Sequence, residues 1–231
     1  MSSVIDCTDA GDIEETVRFA ASAVRRGELI VLPTDTVYGV GANAFDAAAV
    51  RALLAAKGRG RDTPIAVLVP DPRTVDGLAV DVPAYARRLI EEFWPGPLTL
   101  VLRAQTSLLW DLGDTNGTVG LRMPDQEVAL ALLAQTGPMA VTSANKHGQP
   151  AATTVEEARE QLGKDVAIYL DGGPCDGQPP STILDCTKDE PVVLRRGGLR
   201  DEDIFAALGA GTEGSQESDS ASVDPHRPPV G

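Results

Sequence analysis

No run of apolar residues in this 231-residue chain approaches the roughly 18 needed to cross a membrane, so no membrane partner is expected. The acidic opening, MSSVIDCTDAGDIEE, has no apolar h-region, and no secretory leader is expected. Cysteine is sparse: Cys7, Cys175 and Cys186 are odd in number and show no CxxC spacing. With only two histidines, His147 and His226, a structural zinc site is not expected, and a reducing cytoplasm is the simplest setting. Positive charge is also short. Twenty Lys and Arg against 34 Asp and Glu leave a net charge of −14. A chain this acidic repels nucleic acid unless its cations are gathered in one place. That argues against a general DNA or RNA binder and leaves room for a small anionic ligand in a local basic pocket. The phosphate-binding patterns GxxxxGK[ST] and GxGxxG are absent, as is the nucleophile pattern GxSxG. Neither histidine forms a triad with an evident nucleophile, and no internal repeat is visible.

What is present alternates. Apolar runs read as strands at Val4–Asp6, Glu28–Leu32, Ile65–Val69, Leu98–Leu102, Thr118–Arg122, Met139–Thr142, Ala167–Leu170, Ser181–Asp185 and Val192–Leu194. Between them, helices are expected at Asp12–Arg26, Ala47–Lys57, Pro83–Phe93, Glu127–Thr136, Thr154–Leu162 and Asp201–Leu208. Asp12 with Glu15, and Thr154 with Glu157, read as capping boxes. Gly27, Gly58 and Gly137 read as stops. The pattern predicts an α/β fold with a single mixed sheet and flanking helices. From Gly209 on, GAGTEGSQESDSASVDPHRPPVG holds only two valines as large aliphatics. It cannot bury enough apolar surface to offset its ordering entropy. Residues 1–208 are expected to form one domain and 209–231 a disordered acidic tail.

Several polar clusters sit at strand or helix ends. Lys57-Gly58-Arg59-Gly60-Arg61 places three cations within five residues at a helix end. It reads as a C-cap, with Lys57 complementing the helix dipole, or as an anion cradle. The scarcity of lysine, four against sixteen arginines, favours a chemical role for Lys57. Thr142-Ser143-Ala144-Asn145 follows the strand MAV, at the carboxyl edge where open α/β sheets hold ligands. It reads equally as a turn closed by local side-chain bonds. Pro33-Thr34-Asp35-Thr36-Val37-Tyr38-Gly39 follows ELIVL and is too polar for a core strand. Ser181-Thr182, Arg195 and Arg122 lie at other strand ends. Phe93-Trp94-Pro95-Gly96-Pro97 reads as a structural turn.

These segments occur in a fixed order: PTDTVYGVG, Lys57-x-Arg59, FWPGPLT, TVGLRMP, TSAN, PSTI and LRRG. As a set they resemble the YrdC-like family, in particular its threonylcarbamoyl-AMP synthases of the TsaC type, from about Asp12 to Leu208. The family signature KxR…SxN corresponds to Lys57, Arg59, Ser143 and Asn145. The resemblance implies a twisted open α/β sheet with a concave basic cavity. It implies a nucleotidyltransferase that converts L-threonine, bicarbonate and ATP, with Mg²⁺, into L-threonylcarbamoyl-AMP, pyrophosphate and water. A separate transferase would then use that product in the N6-threonylcarbamoyladenosine modification of tRNA. The chain itself then has no need to grip nucleic acid tightly.

The resemblance also implies residue roles. Lys57 and Arg59 would be catalytic and bind phosphate, and Arg61, Thr118, Ser143, Asn145 and Arg195 would join them around ATP. Thr34, Arg122, Thr142 and Ser181 would hold threonine, with Arg122 on its carboxylate. The chain departs from many relatives at Gly60, where they have Pro, and at Thr63, where they often have His or Asn. Two other expectations compete: a carbamoyl-adenylate former of the hydrogenase-maturation type, and a double-stranded-RNA-binding module of the same fold.

Overall fold

The computed structural model describes residues 2–8, 13–175 and 179–209. The expected tail, apart from Gly209, and the expected Asp12 cap lie outside the described residues.

The chain opens with β1 (Ser3–Asp6), α1 (Ile13–Arg25), β2 (Ile30–Leu32), β3 (Gly39–Asn43) and α2 (Ala47–Lys57). There follow β4 (Ala66–Leu68), a 3-10 turn at Pro72–Thr74, α3 (Val75–Leu78), β5 (Ala79–Val80), α4 (Ala84–Phe93) and β6 (Leu98–Ala104). The second half holds β7 (Thr118–Arg122), α5 (Glu127–Thr136), β8 (Met139–Ser143), α6 (Val155–Leu162) and β9 (Ile168–Asp171). It closes with β10 (Thr182–Asp185), β11 (Val192–Arg195) and α7 (Asp201–Gly209).

Among the described residues all eleven strands join one mixed sheet in the order β1-β9-β2-β3-β8-β4-β7-β6-β10-β11, with β5 added beside β6. β1/β9, β2/β9, β4/β7 and β6/β10 are parallel. β2/β3, β3/β8, β4/β8, β6/β7 and β10/β11 are antiparallel. The expected α/β fold with a single sheet is therefore what the chain adopts.

The period-2 alternation of the strands sorts side chains onto two faces. Ile30, Leu32, Met139, Val141, Ile168 and Leu170 pack under α1 and α5, with Val17, Val24, Val128 and Leu132. Val31, Ala140, Tyr169, Leu98, Leu100 and Leu102 point the other way, into a larger core with Leu53, Leu89 and Ile204 from α2, α4 and α7. On the first face Thr99, Val101, Gly120 and Ile183 occupy the sheet positions beyond Val141 and Leu68, and most of them stay partly exposed. Helices α1 and α5 cover one half of this face. The uncovered half is where the site lies.

Three expectations at element ends are refined. Thr154 does cap α6, accepting from Glu157 N at 3.3 Å. The Glu157 carboxylate, however, accepts from Thr153 N at 2.7 Å, one residue before the cap. Pro83, expected as the first helical residue, is the N-cap of α4. Glu28 and Leu29, expected to open the strand Glu28–Leu32, lie before it, and the strand runs only over Ile30–Leu32.

Candidate active site

The site begins with the way α2 ends. A helix leaves its last four carbonyls without intrahelical partners. Here Arg59 N donates to Leu54 O at 3.0 Å and Gly58 N to Ala55 O at 2.9 Å. That is a Schellman closure, and it requires the left-handed backbone that Gly58 adopts at φ 63°. Ala56 O accepts from Lys146 Nζ, and Lys57 O accepts from His147 N at 2.8 Å. Two carbonyls are thus closed by the helix's own continuation and two by the turn after β8. The closure throws Arg59 toward the sheet and brings the turn after β8 alongside it.

Three guanidinium groups face an open cavity of about 240 Å³. Arg59 Nη1 donates to Thr142 Oγ1 at 3.1 Å and Nη2 to Pro64 O at 3.4 Å. Its Nε is buried without a partner among the described residues. Arg122, 7% exposed, is held on three sides: Nε to Gly96 O at 3.0 Å, Nη1 to Thr36 Oγ1 at 3.1 Å, and Nη2 to Asp35 Oδ1 at 2.6 Å. Arg195 donates to Ser181 O through Nε at 3.1 Å and through Nη2 at 2.8 Å, and its Nη2 also reaches Ser181 Oγ. Ser181 Oγ in turn lies 2.9 Å from Thr99 Oγ1.

Among the described residues no carboxylate lines the cavity, whose walls otherwise include Thr34, Thr36, Thr99, Thr142, Ser143 and Ser181. A chain of net charge −14 therefore gathers three cations at this place, of which Arg122 is paired with Asp35 beside the lining. Burial pulls all three guanidinium groups below their usual values. Asp62 opposes the shift at Arg59, and Asp35 opposes it at Arg122. Cations desolvated this way gain most from an anionic ligand. With hydroxyls spread between them, the lining suits a molecule carrying phosphate or carboxylate at one end and neutral polar groups elsewhere.

Seven of the residues expected at the site line this cavity: Thr34, Arg59, Arg122, Thr142, Ser143, Ser181 and Arg195. Four others stand apart from it. Arg61 is turned outward, its Nη2 2.7 Å from Asp111 and its Nε 3.4 Å from Asp114. Thr118 lies at the far end of β7 and spends its hydroxyl on Thr115 O at 2.7 Å. Lys57 and Asn145 are buried behind the wall, 3% and 7% exposed, and are bonded to each other. The signature residues thus divide into a pair at the surface of the cavity, Arg59 and Ser143, and a pair behind it.

Sequence reasoning missed Thr36, Thr99 and the role of Asp35. Thr99 was detectable as the polar residue in LTLVL, on a strand whose neighbours are all apolar. The turn Phe93-Trp94-Pro95-Gly96-Pro97, read as structural, also reaches the site. Its Trp94–Pro95 peptide is cis, and Gly96 supplies the carbonyl that holds Arg122.

A family profile described as "Telomere recombination", covering Sua5, YciO and YrdC, matches residues 22–197. The chain belongs to the Sua5/YciO/YrdC family. A Mycobacterium tuberculosis (strain H37Rv) member carrying the provisional name threonylcarbamoyl-AMP synthase is 52% identical over 209 residues, covering 90% of this chain and 96% of that protein. A Bacillus subtilis (strain 168) protein named threonylcarbamoyl-AMP synthase is 40% identical, covering 89% of this chain and 60% of that one. Among solved structures, Pyrococcus abyssi Sua5 complexed with L-threonine superposes with a TM-score of 0.86 at 37% identity, over 90% of this chain and 61% of that one. The chain therefore spans nearly all of the mycobacterial relative and about three fifths of the other two.

Proposed function

We infer that this chain is a threonylcarbamoyl-AMP synthase, using L-threonine and ATP. The observation that carries this is the cavity itself. Three guanidinium groups and a ring of hydroxyls, with no carboxylate among the described lining residues, lie in a chain that superposes over 90% of its length on a relative crystallised with L-threonine.

The remaining substrate is bicarbonate, the source of the carbamoyl carbon. Bicarbonate loses hydroxide to give CO2, the amine of threonine adds to it with formation of a C–N bond, and the amine's proton joins the hydroxide as water. The new carboxylate oxygen attacks the α-phosphorus of ATP in line. A P–O bond forms, the bond to the bridging β oxygen breaks, and pyrophosphate leaves. No covalent intermediate with the protein is required, so the protein's contribution is positioning and charge neutralisation. Arg122, fixed by three acceptors, is suited to a carboxylate that must not move. Thr34, Thr142 and Ser181 supply the neighbouring hydroxyls. Arg59 and Arg195 face the anionic phosphates, with Ser143 beside them.

Among the described residues no three or more His, Cys, Asp or Glu converge on a metal position. The lining suits a magnesium ion that arrives on the triphosphate, where it would supply further charge neutralisation. The product would pass to a separate transferase that modifies tRNA. Among the described residues no helix is long and apolar enough to cross a membrane, and a cytoplasmic site of action fits these substrates. The RNA-binding reading is not favoured, because a chain of net charge −14 works against the phosphate neutralisation that RNA binding requires.

Pyrophosphate release from ATP in magnesium buffer, with and without L-threonine and bicarbonate, tests this reading. Release that needs both co-substrates is expected. ATP binding without such release would point to a different acceptor.

A further inference from the structure

Among the described residues the sheet ends on β11. This edge strand is short and is held from one side. β10 pairs with Val192, Val193 and Arg195 and skips Leu194. Leu194 is 57% exposed and Val192 41%. A sheet edge presents unpaired backbone N–H and C=O groups, and monomeric proteins commonly blunt it with charge inside the strand. Val192, Val193 and Leu194 carry no charge.

The charges stand at the two ends of the strand, with opposite sign. The segment reads Asp189-Glu190-Pro191-Val192-Val193-Leu194-Arg195-Arg196: acids, an apolar middle, then bases. In reverse it is its own electrostatic complement. Two copies laid antiparallel set acid against base at both ends, as a twofold axis requires of a self-complementary surface. The charges are placed for this. Asp189 and Glu190 are exposed, and the cation beside them, Lys188, pairs with Asp185 at 3.6 Å. Arg196 donates through Nε to Asp201 at 2.9 Å, yet its side chain stays 74% exposed. β1, at the other end of the sheet, reads Ser3-Val4-Ile5-Asp6 and has no base to match its acid.

We propose that β11 is the contact between two copies of this chain, paired antiparallel about a twofold axis at Val193. That register sets Glu190 against Arg196 of the second copy, and Val192 against its Leu194, so the exposed apolar side chains of the strand cover each other. The two Val193 side chains meet on the axis. Val193 shares a shallow groove of about 30 Å³ with Pro191, Ile204, Phe205 and Leu208. Phe205, on α7 and 63% exposed, flanks the axis from each copy. This contact goes beyond the synthase reading and does not depend on it. One short strand and a helix flank from each copy put it at the small end of specific interfaces, with a dissociation constant on the order of 10 µM.

Sedimentation equilibrium on the full chain, from about 1 to about 500 µM at physiological ionic strength, tests this first. The mass should rise from 24.2 kDa toward twice that value. A mass that stays at the monomer value throughout overturns the proposal. Hydrogen exchange over the same range locates the contact on the unaltered protein. The β11 amides should slow as concentration rises, while those of β1 do not change. A dimer whose β11 exchange is unaltered is built on another surface, and slow β11 exchange in a monomer means that the chain's own residues 210–231 cover the edge. Either result overturns the proposal. Variants then test the register, with Arg195 left intact because it belongs to the cavity. Glu190→Arg sets like charges together at both ends and should weaken dimerisation at least about fivefold, and adding Arg196→Glu should restore it to within about twofold. Val192→Lys, which puts a charge inside the edge strand, should leave a monomer. Parental dimerisation in Glu190→Arg, or no recovery in the double variant, overturns the antiparallel pairing. If a variant does not fold, the exchange result decides alone.

Discussion

Arg122 Nη2 stands 2.6 Å from Asp35 Oδ1, and the two side chains are 8% and 14% exposed. Asp35 Oδ1 also accepts from Asp125 N at 3.0 Å, so the carboxylate ties three segments of the site together. An arginine held this way has one orientation, which is what a fixed carboxylate-binding group needs.

Removing the acid strands a buried cation. Breaking such a pair from one side costs about 3 kcal/mol or more. Asp35→Ala should therefore lower the urea midpoint and raise KM for threonine much more than KM for ATP. Asp35→Asn, which keeps an acceptor for Arg122, should recover part of both losses. Equal KM changes for the two substrates would detach Arg122 from threonine.

A second handle on the same guanidinium lies in the turn before β6. Gly96 O accepts Arg122 Nε at 3.0 Å, and a Cβ at Gly96 would meet Phe93 O at 2.6 Å. That neighbour is backbone, so the turn itself must shift. Gly96→Ala is expected to cut kcat/KM for threonine by about tenfold, the scale of a small misplacement of a positioning group. The same change at Gly117, where nothing lies within 4 Å of the added Cβ, tests only the backbone and should leave threonine kinetics unaltered.

Arg59 is expected to dominate the energetics on the phosphate side. Its environment is desolvated, and among the described residues no carboxylate shares the cavity lining. Arg59→Ala should reduce turnover on the order of 10²-fold, the effect of deleting one preorganised electrostatic group. By contrast Arg61, half-exposed and paired with Asp111, should tolerate Arg61→Ala with KM for ATP changed by less than about threefold. Single-turnover pyrophosphate release on both variants checks the contrast, and similar losses in the two would refute it.

Much of this was legible from local chemistry. The alternation of apolar runs and amphipathic stretches placed most of the strands and the longer helices. Gly58 after Lys57 announced the end of α2, and Thr154 announced the start of α6. β3 was not legible, because GVGAN carries two glycines and weak strand propensity. Packing explains its existence: a Cβ at Gly39 or Gly41 would meet Val141 at 2.7 or 2.9 Å, so the strand survives only with glycine against β8. The direction of Lys57 was not legible either. A lysine at a helix end can turn to a ligand or to a neighbouring turn, and only the arrival of Ser143, Asn145, Lys146 and His147 from 86 or more residues away settles which. The same holds for Arg61, whose acidic partners lie 50 residues or so further on.

The pH dependence of Lys57 provides the remaining prediction. Burial first, then the nearby cations Arg59 and Lys146, lower its ammonium from 10.5 to about 8. In the unfolded chain lysine keeps its proton to about pH 10.4. Between about pH 8 and that value the unfolded state binds a proton that the folded state has released. Unfolding free energy from this group therefore rises with pH across the window, and its penalty is fully present below it. Activity should move the opposite way. A neutral amine has two N–H groups for three acceptors, so the turn after β8 loosens as the proton leaves, and kcat should fall with an apparent pKa of about 8. Lys57→Met has no proton to lose. Profiles of kcat and of the urea midpoint from pH 7 to 10, measured on both proteins, isolate the group, because every other titration is common to the two. The same falling limb in Lys57→Met would assign it to another residue or to the substrates.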